Sequence, residues 1–210
     1  MTAFITHCWK NARLDLAVLL ACALLVGWMP RPAWAQSVAE VTQLRLEGDN
    51  EGVLLSAALS FDLPTTVESA LVKGVAVFFV AEAEVYRERW YWADKKVASA
   101  ERHMRLVFHP LTRRWRLAVS PSAIANNGLG VILNQSFDSL EDAMAAVRRI
   151  SGWRIAELRD LDPSGRHRVE FRFRLDVSQL PRPLQIGALG QDDWALSMAA
   201  TRRLVLDNLK

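Results

Sequence analysis

Residues 166–177 carry the pattern that most restricts the fold. Val169, Phe171, Phe173, Leu175 and Val177 alternate with Arg168, Glu170, Arg172 and Arg174, with Arg166 just before them. A period of two puts the apolar side chains on one face of a strand and the charges on the other. Such a strand is half buried, so its sheet has one dry and one wet face, as antiparallel sheets do.

The same period recurs along the chain. Leu44 and Leu46 alternate with Arg45 and Glu47, and Val53 to Phe61 alternates likewise. The cluster Gly48-Asp49-Asn50-Glu51-Gly52 lies between them, so a hairpin is expected. Val75–Val80 is apolar on both faces and reads as a buried strand, with Glu82, Glu84 and Tyr86 making one face wet further on. Asp94, Lys95 and Lys96 read as a polar connection. Met104, Leu106 and Phe108 form one strand face, and Trp115, Leu117 and Val119 another after the turn Pro110–Arg113. Residues 129–137 and 153–158 read as further strands, and the tail 194–206 as a closing strand or hairpin.

Two helices are expected. Residues 64–74 have Pro64 near the start, capping-box spacing of Thr65 and Glu68, and Gly74 past the end. Residues 139–150 place Leu140, Ala143, Met144, Val147 and Ile150 on one stripe, with Asp138 or Ser139 as the cap. The fold class is therefore mainly β (α+β), an antiparallel β-sandwich-like domain with two short helices. A ββαββ unit used twice, split near residue 100, is one reading of its organisation. Chance likeness of two strand-to-helix junctions is the other.

The N-terminal 35 residues have a different composition. Lys10 and Arg13 precede the apolar run Leu14–Trp28, Pro30 and Pro32 break it, and Ala33-Trp34-Ala35 offers a small-x-small cleavage site before Gln36. The run of about 15 residues is short for a membrane span, which needs roughly 20. A secretory signal over residues 1–35, cut between Ala35 and Gln36, is expected, and an uncleaved anchor or a lipobox at Cys22 are the competing readings. A single domain over 36–210 then works outside the cytoplasm, in the periplasm or tethered at the outer side of the inner membrane. Nucleotide and nicotinamide chemistry is disfavoured there.

Beyond residue 35 the chain holds 23 basic and 22 acidic residues. A balance so near neutrality gives no case for nucleic-acid binding. Both cysteines, Cys8 and Cys22, lie in the leader, so the remainder offers no disulfide, thiol nucleophile or thiolate metal site. His103 and His109 share a strand face but stand about 20 Å apart at strand rise, too far to share one metal ion. Nothing pairs a serine with a histidine, and no Gly-x-Ser-x-Gly elbow occurs. Glu82 and Glu84 are neighbours on one strand rather than carboxylates facing across a cleft. No cofactor, no metal and no catalytic residues are expected.

The feature with the most functional content is the arginine and aromatic clustering. Arg87, Arg89, Trp90 and Trp92 lie in one segment, Arg113, Arg114 and Trp115 in a second, and Arg168, Arg172 and Arg174 on one strand face. Arginine and tryptophan are typical of interface hot spots, and arginine also grips phosphate or carboxylate through two bonds. Cross-strand pairing of these arginines with Glu82 or Glu84, and packing of the tryptophans in the core, are the structural alternatives.

Four segments together resemble the DUF4390 family: Arg89-Trp90-Tyr91-Trp92, His109-Pro110-Leu111-Thr112-Arg113, Leu175-Asp176 with Leu180-Pro181-Arg182-Pro183, and Asp193-Trp194-Ala195-Leu196-Ser197. His109 departs from the pattern, where an aromatic such as Tyr is expected. The resemblance spans roughly Val41 to Leu206. It implies a proteobacterial envelope protein with a signal peptide and without assigned activity or catalytic residues. It also implies genes set beside those of a membrane sensor kinase of the nitrogen-regulation type and its response regulator. The expected function is a non-enzymatic exported domain that binds an envelope protein, such as that kinase. Binding of lipid, glycan or another apolar or anionic envelope ligand is the first alternative, and a cell-wall enzyme the second.

Overall fold

The computed structural model describes residues 39–124, 133–162, 165–182, 184–185 and 194–205. Residues 1–38, which include the expected Ala35–Gln36 cleavage site, lie outside them, as does Asp193. The chain runs β1 (Glu40–Gly48), β2 (Gly52–Ser60), α1 (Thr65–Val72), β3 (Val77–Arg87), β4 (Lys95–His109), β5 (Arg114–Ser120), β6 (Leu133–Phe137), α2 (Leu140–Arg148), β7 (Arg149–Glu157), β8 (His167–Leu175) and β9 (Ser197–Leu204). A three-stranded sheet has the order β1-β2-β7, and a six-stranded sheet the order β6-β5-β4-β3-β8-β9. Every described pairing is antiparallel. The mainly β, sandwich-like class read from the alternation is the observed one.

The core lies between the sheets. Val53, Leu55, Ala57 and Leu59 of β2 and Ile150, Trp153 and Ile155 of β7 are buried on the small sheet. Opposite them stand Phe79, Ala81, Ala83 and Val85 of β3 and Val169, Phe171 and Phe173 of β8. The rings of Phe61, Phe79 and Phe173 meet at one end of this core, with centroids 5.6–6.3 Å apart. At the β1/β9 side the Arg202 guanidinium donates to the Leu44 carbonyl and ties the sheets together.

Both helices cover ends of this sandwich. In α1, Val67, Ala70 and Leu71 are buried at i, i+3 and i+4 spacing. Its N-cap is Pro64 without a side-chain cap, so the expected Thr65/Glu68 capping box does not form. Gly74 stops it at φ 83°, in the left-handed region that glycine enters without steric cost. In α2 the Ser139 hydroxyl accepts from the Asp142 N–H at 3.0 Å. At its other end Arg148 donates to the Phe61 carbonyl at 2.7 Å and lies over the Phe61 ring.

Some boundaries differ from the sequence reading, and one expected strand is described only in part. The helix expected over 139–150 ends at Arg148, and Ile150 is buried within β7. Lys95 and Lys96 open β4 rather than belonging to a connection. The strand expected over 129–137 is seen as Leu133–Phe137, its first residues lying outside those described. The ββαββ order does recur, but the pairing does not repeat. The hairpin β3–β4 has no counterpart in β7 and β8, which join different sheets.

Candidate functional site

Strands β3 and β4 pair from Val77↔Leu106 to Arg87↔Lys95. One extra residue in β4, opposite the Val85–Tyr86 step, bends the ladder just before it ends. Residues 88–94 then form a tip beyond the sheet. Trp90, Tyr91 and Trp92 are 92%, 73% and 72% exposed. Trp90 packs only edge-on against Tyr91, at 5.0 Å. Three consecutive rings left in water are costly unless something covers them, and adjacent exposed aromatics of this kind point to an interaction site.

The tip is held in place from below. The Glu88 N–H donates to the Arg166 carbonyl at 2.9 Å. The Asp94 carboxylate accepts from the Arg89 N–H at 3.2 Å and pairs with Arg168 at 3.1 Å. Arg87 pairs with Asp162 at 2.7 Å, and Glu88 lies 3.7 Å from Arg203. Residues Arg87–Trp92 line a notch of about 460 Å³. Arg89, Lys95 and Arg166 are exposed and form no ion pair among the described residues. The acids at the tip are therefore neutralised while cations are left over.

His167 sits under this base, opposite Arg87 in the ladder and 1% exposed. The Gly165 backbone gives its ring only a weak hydrogen bond, and neither ring nitrogen has a partner of good geometry. Burial pushes its pKa below the ordinary value, the neighbouring Arg87 adds to this, and the Gly165 backbone and Asp162 offset it only in part. A depressed histidine pKa means that the unfolded chain binds the proton more readily. Stability is then full above about pH 6.5 and falls as pH drops below it. The thermal midpoint is expected to decline between about pH 7 and about pH 5, and less so in His167→Leu. Melts of both proteins across that range check this, and equal slopes would contradict it.

The arginines of β8 lie on the outer face of the large sheet. Arg174 pairs with Glu82 at 3.0 Å, Arg172 with Glu170 at 3.2 Å, and Arg168 with Glu170 at 2.9 Å. Arg168 also covers the Tyr86 ring. Glu84 accepts from the Tyr86 hydroxyl at 2.7 Å and pairs with Lys96 at 3.0 Å. These bonds hold its carboxyl below the usual range, Tyr86 contributing most. Glu82 is thus engaged by a cross-strand arginine, as the structural alternative expected, whereas Glu84 is held by Lys96 across the ladder and by Tyr86 of its own strand. Asp176, just past β8, is buried, which alone would raise its carboxyl. Bonds from Ser178 and Gln179, with Arg174 nearby, outweigh burial and leave it lowered.

The remaining sequence candidates lie elsewhere. Residues 110–113 close β4–β5 at the end opposite the tip, about 45 Å away along β4 at strand rise. There Leu111 and Arg113 are exposed and Arg114 pairs with Asp138 at 2.8 Å. Trp115 is 7% exposed and packs on Phe108 at 4.7 Å. It belongs to the core and not to a surface with Arg113 and Arg114, because its strand phase is that of Leu117. The grouped arginines and tryptophans therefore do not form one surface: Arg113 and Arg114 lie at the far end, Trp115 is in the core, and Arg168 links the β8 face to the tip. Tyr91 belongs with Trp90 and Trp92, although the arginine–tryptophan pairing alone did not single it out. Its signal was its place between two tryptophans where both strand patterns run out.

A second concavity of about 520 Å³ lies on the outer face, lined among others by Phe78, Arg105, Ile124 and Gln179. The Arg105 Nε is buried there without a hydrogen-bond partner. Among the described residues no three His, Cys, Asp or Glu come together as a metal would require, and no helix is long and apolar enough to cross a membrane.

No curated protein and no solved structure matches the chain. A family model described as a domain of unknown function (DUF4390) matches residues 36–204. That span begins just before β1 and ends with β9, taking in the tip, both sheets and both helices. The chain belongs to the DUF4390 family.

Proposed function

We propose that this chain is an exported, non-enzymatic binding domain of the cell envelope that docks through the β3–β4 tip. One observation carries the reading: Trp90, Tyr91 and Trp92 stand 92%, 73% and 72% exposed on a hairpin end that is tied down by Asp94, Arg166 and Arg168. A held loop has already lost much of the freedom that binding would otherwise cost. The apolar leader with its Ala35–Gln36 junction supports export. The engagement of Glu82, Glu84, Arg172 and Arg174 with one another's neighbours favours a structural part for the sheet face.

A photoreactive benzophenone side chain placed at Ala93, Leu111 or Arg172 of the full chain tests the site. Irradiation of intact cells is expected to give adducts from position 93 and not from the other two. Adducts from 172 with none from 93 would move docking to the sheet face.

A further inference from the structure

Resting on that docking reading, we infer that the surface met by the tip is a lipid bilayer bearing anionic headgroups. The first argument is shape. Trp90 is 92% exposed with Tyr91 and Trp92 exposed beside it, whereas Leu111, at the far end of β4, has no exposed aromatic beside it. The rings stand on a hairpin end beyond the last rung of the β3–β4 ladder, where the notch is lined by the tip's own residues 87–92, and such an end suits a soft layer that opens around it. A folded partner would need a matching pocket for three adjacent rings.

The second argument is chemistry. Tryptophan and tyrosine combine a flat apolar body with one polar atom, and they concentrate at the headgroup level of membranes for that reason. Here they are consecutive, so one insertion buries all three. Val205, which follows β9 at the same end, is 72% exposed and adds apolar surface.

The third argument is charge. Asp94 and Glu88 face Arg168 and Arg203, while Arg89, Lys95 and Arg166 are left exposed around the rings. Cations flanking inserted aromatics match a negatively charged leaflet. Arg89, which forms no ion pair among the described residues, lines the notch and is free to donate to a headgroup phosphate.

The test uses the full chain with Cys8→Ser and Cys22→Ser, and an environment-sensitive fluorophore on a new cysteine at Ala93 or Leu111. The dye at 111 serves as the control for membrane contact made by the leader. Vesicles of phosphatidylcholine with or without phosphatidylglycerol are the probe. The dye at 93 is expected to brighten and shift to the blue on phosphatidylglycerol vesicles, and the dye at 111 to stay unchanged. Replacing Trp90, Tyr91 and Trp92 by Ser is expected to weaken the response by about tenfold per ring. Arg89→Ser with Lys95→Ser is expected to weaken it about fivefold per cation and to remove the preference for phosphatidylglycerol. Melting curves matching those of the parent chain show that the variants are folded.

No change at position 93 on either vesicle overturns the bilayer proposal. The benzophenone at 93 then separates two failures. A protein adduct there keeps docking at the tip and removes only the bilayer, whereas no adduct removes both. An equal response on both vesicles overturns the anionic part.

Discussion

Phe79→Ala is expected to cost about 3–5 kcal/mol of stability, the range for deleting a buried ring. Phe79 is fully buried, and its ring meets Phe173 at 5.7 Å and Phe61 at 6.3 Å. Three elements join there: β3, β8 and the segment leading from β2 to α1. Arg148 at the end of α2 also grips the Phe61 carbonyl, so the cavity would loosen both sheets and a helix. Backbones held by ladders on both sides cannot collapse to fill it. A loss of this size is a large part of the roughly 5–15 kcal/mol that holds a typical domain folded. Urea unfolding of Phe79→Ala beside Leu111→Ala measures it. Leu111 is fully exposed, so its variant should stay within about 0.5 kcal/mol of the parent. Equal midpoints for the two would contradict the assigned core.

Much of this core is legible in the sequence. In β8 the alternation of Val169, Phe171 and Phe173 with Glu170, Arg172 and Arg174 allows one arrangement, and the strand faces that way. The hairpin of β1 and β2 was equally plain from its turn. Asp49 takes the N–H groups of Glu51 and Gly52, and a Cβ on Gly52 would lie 2.0 Å from the Ala156 carbonyl oxygen. Ile150 misled because it satisfies two periods. It continues the stripe of Ala143 and Val147, yet it also starts the alternation of β7. Tertiary pairing with Ala57 decided the matter.

The partner of each strand was not legible. Pairing of β2 with β7 joins residues about a hundred positions apart, and no local pattern encodes it. That register also decides the electrostatics. Glu82 stands opposite Arg172 in the ladder yet bonds the diagonal Arg174, so the arginine face is balanced by acids on β3 and β8. The tryptophans show how far local phase reaches. Trp115 is in step with Leu117 and Val119 and is therefore buried. Trp90 and Trp92 come after Arg87, where the β3 ladder has ended, so no sheet partner covers them.

This contrast between tip and sheet face yields the second large expected effect. Replacing Trp90, Tyr91 and Trp92 together by Ser removes exposed rings only, so stability should change little. Their burial on docking supplies most of the attraction, and binding to isolated envelopes should fall by about a thousandfold, tenfold per ring. Arg172→Glu with Arg174→Glu should do the opposite. It puts new acids beside Glu170 and Glu82 and breaks pairs worth roughly 0–1 kcal/mol each. Some stability is lost and binding is kept. The decisive measurement is sedimentation of the chain from Gln36 onward with envelopes stripped of the native protein, for the parent and both variants. The account predicts loss for the tip variant and retention for the sheet-face variant. Retention by a folded tip variant, with loss for the sheet-face variant, would contradict it.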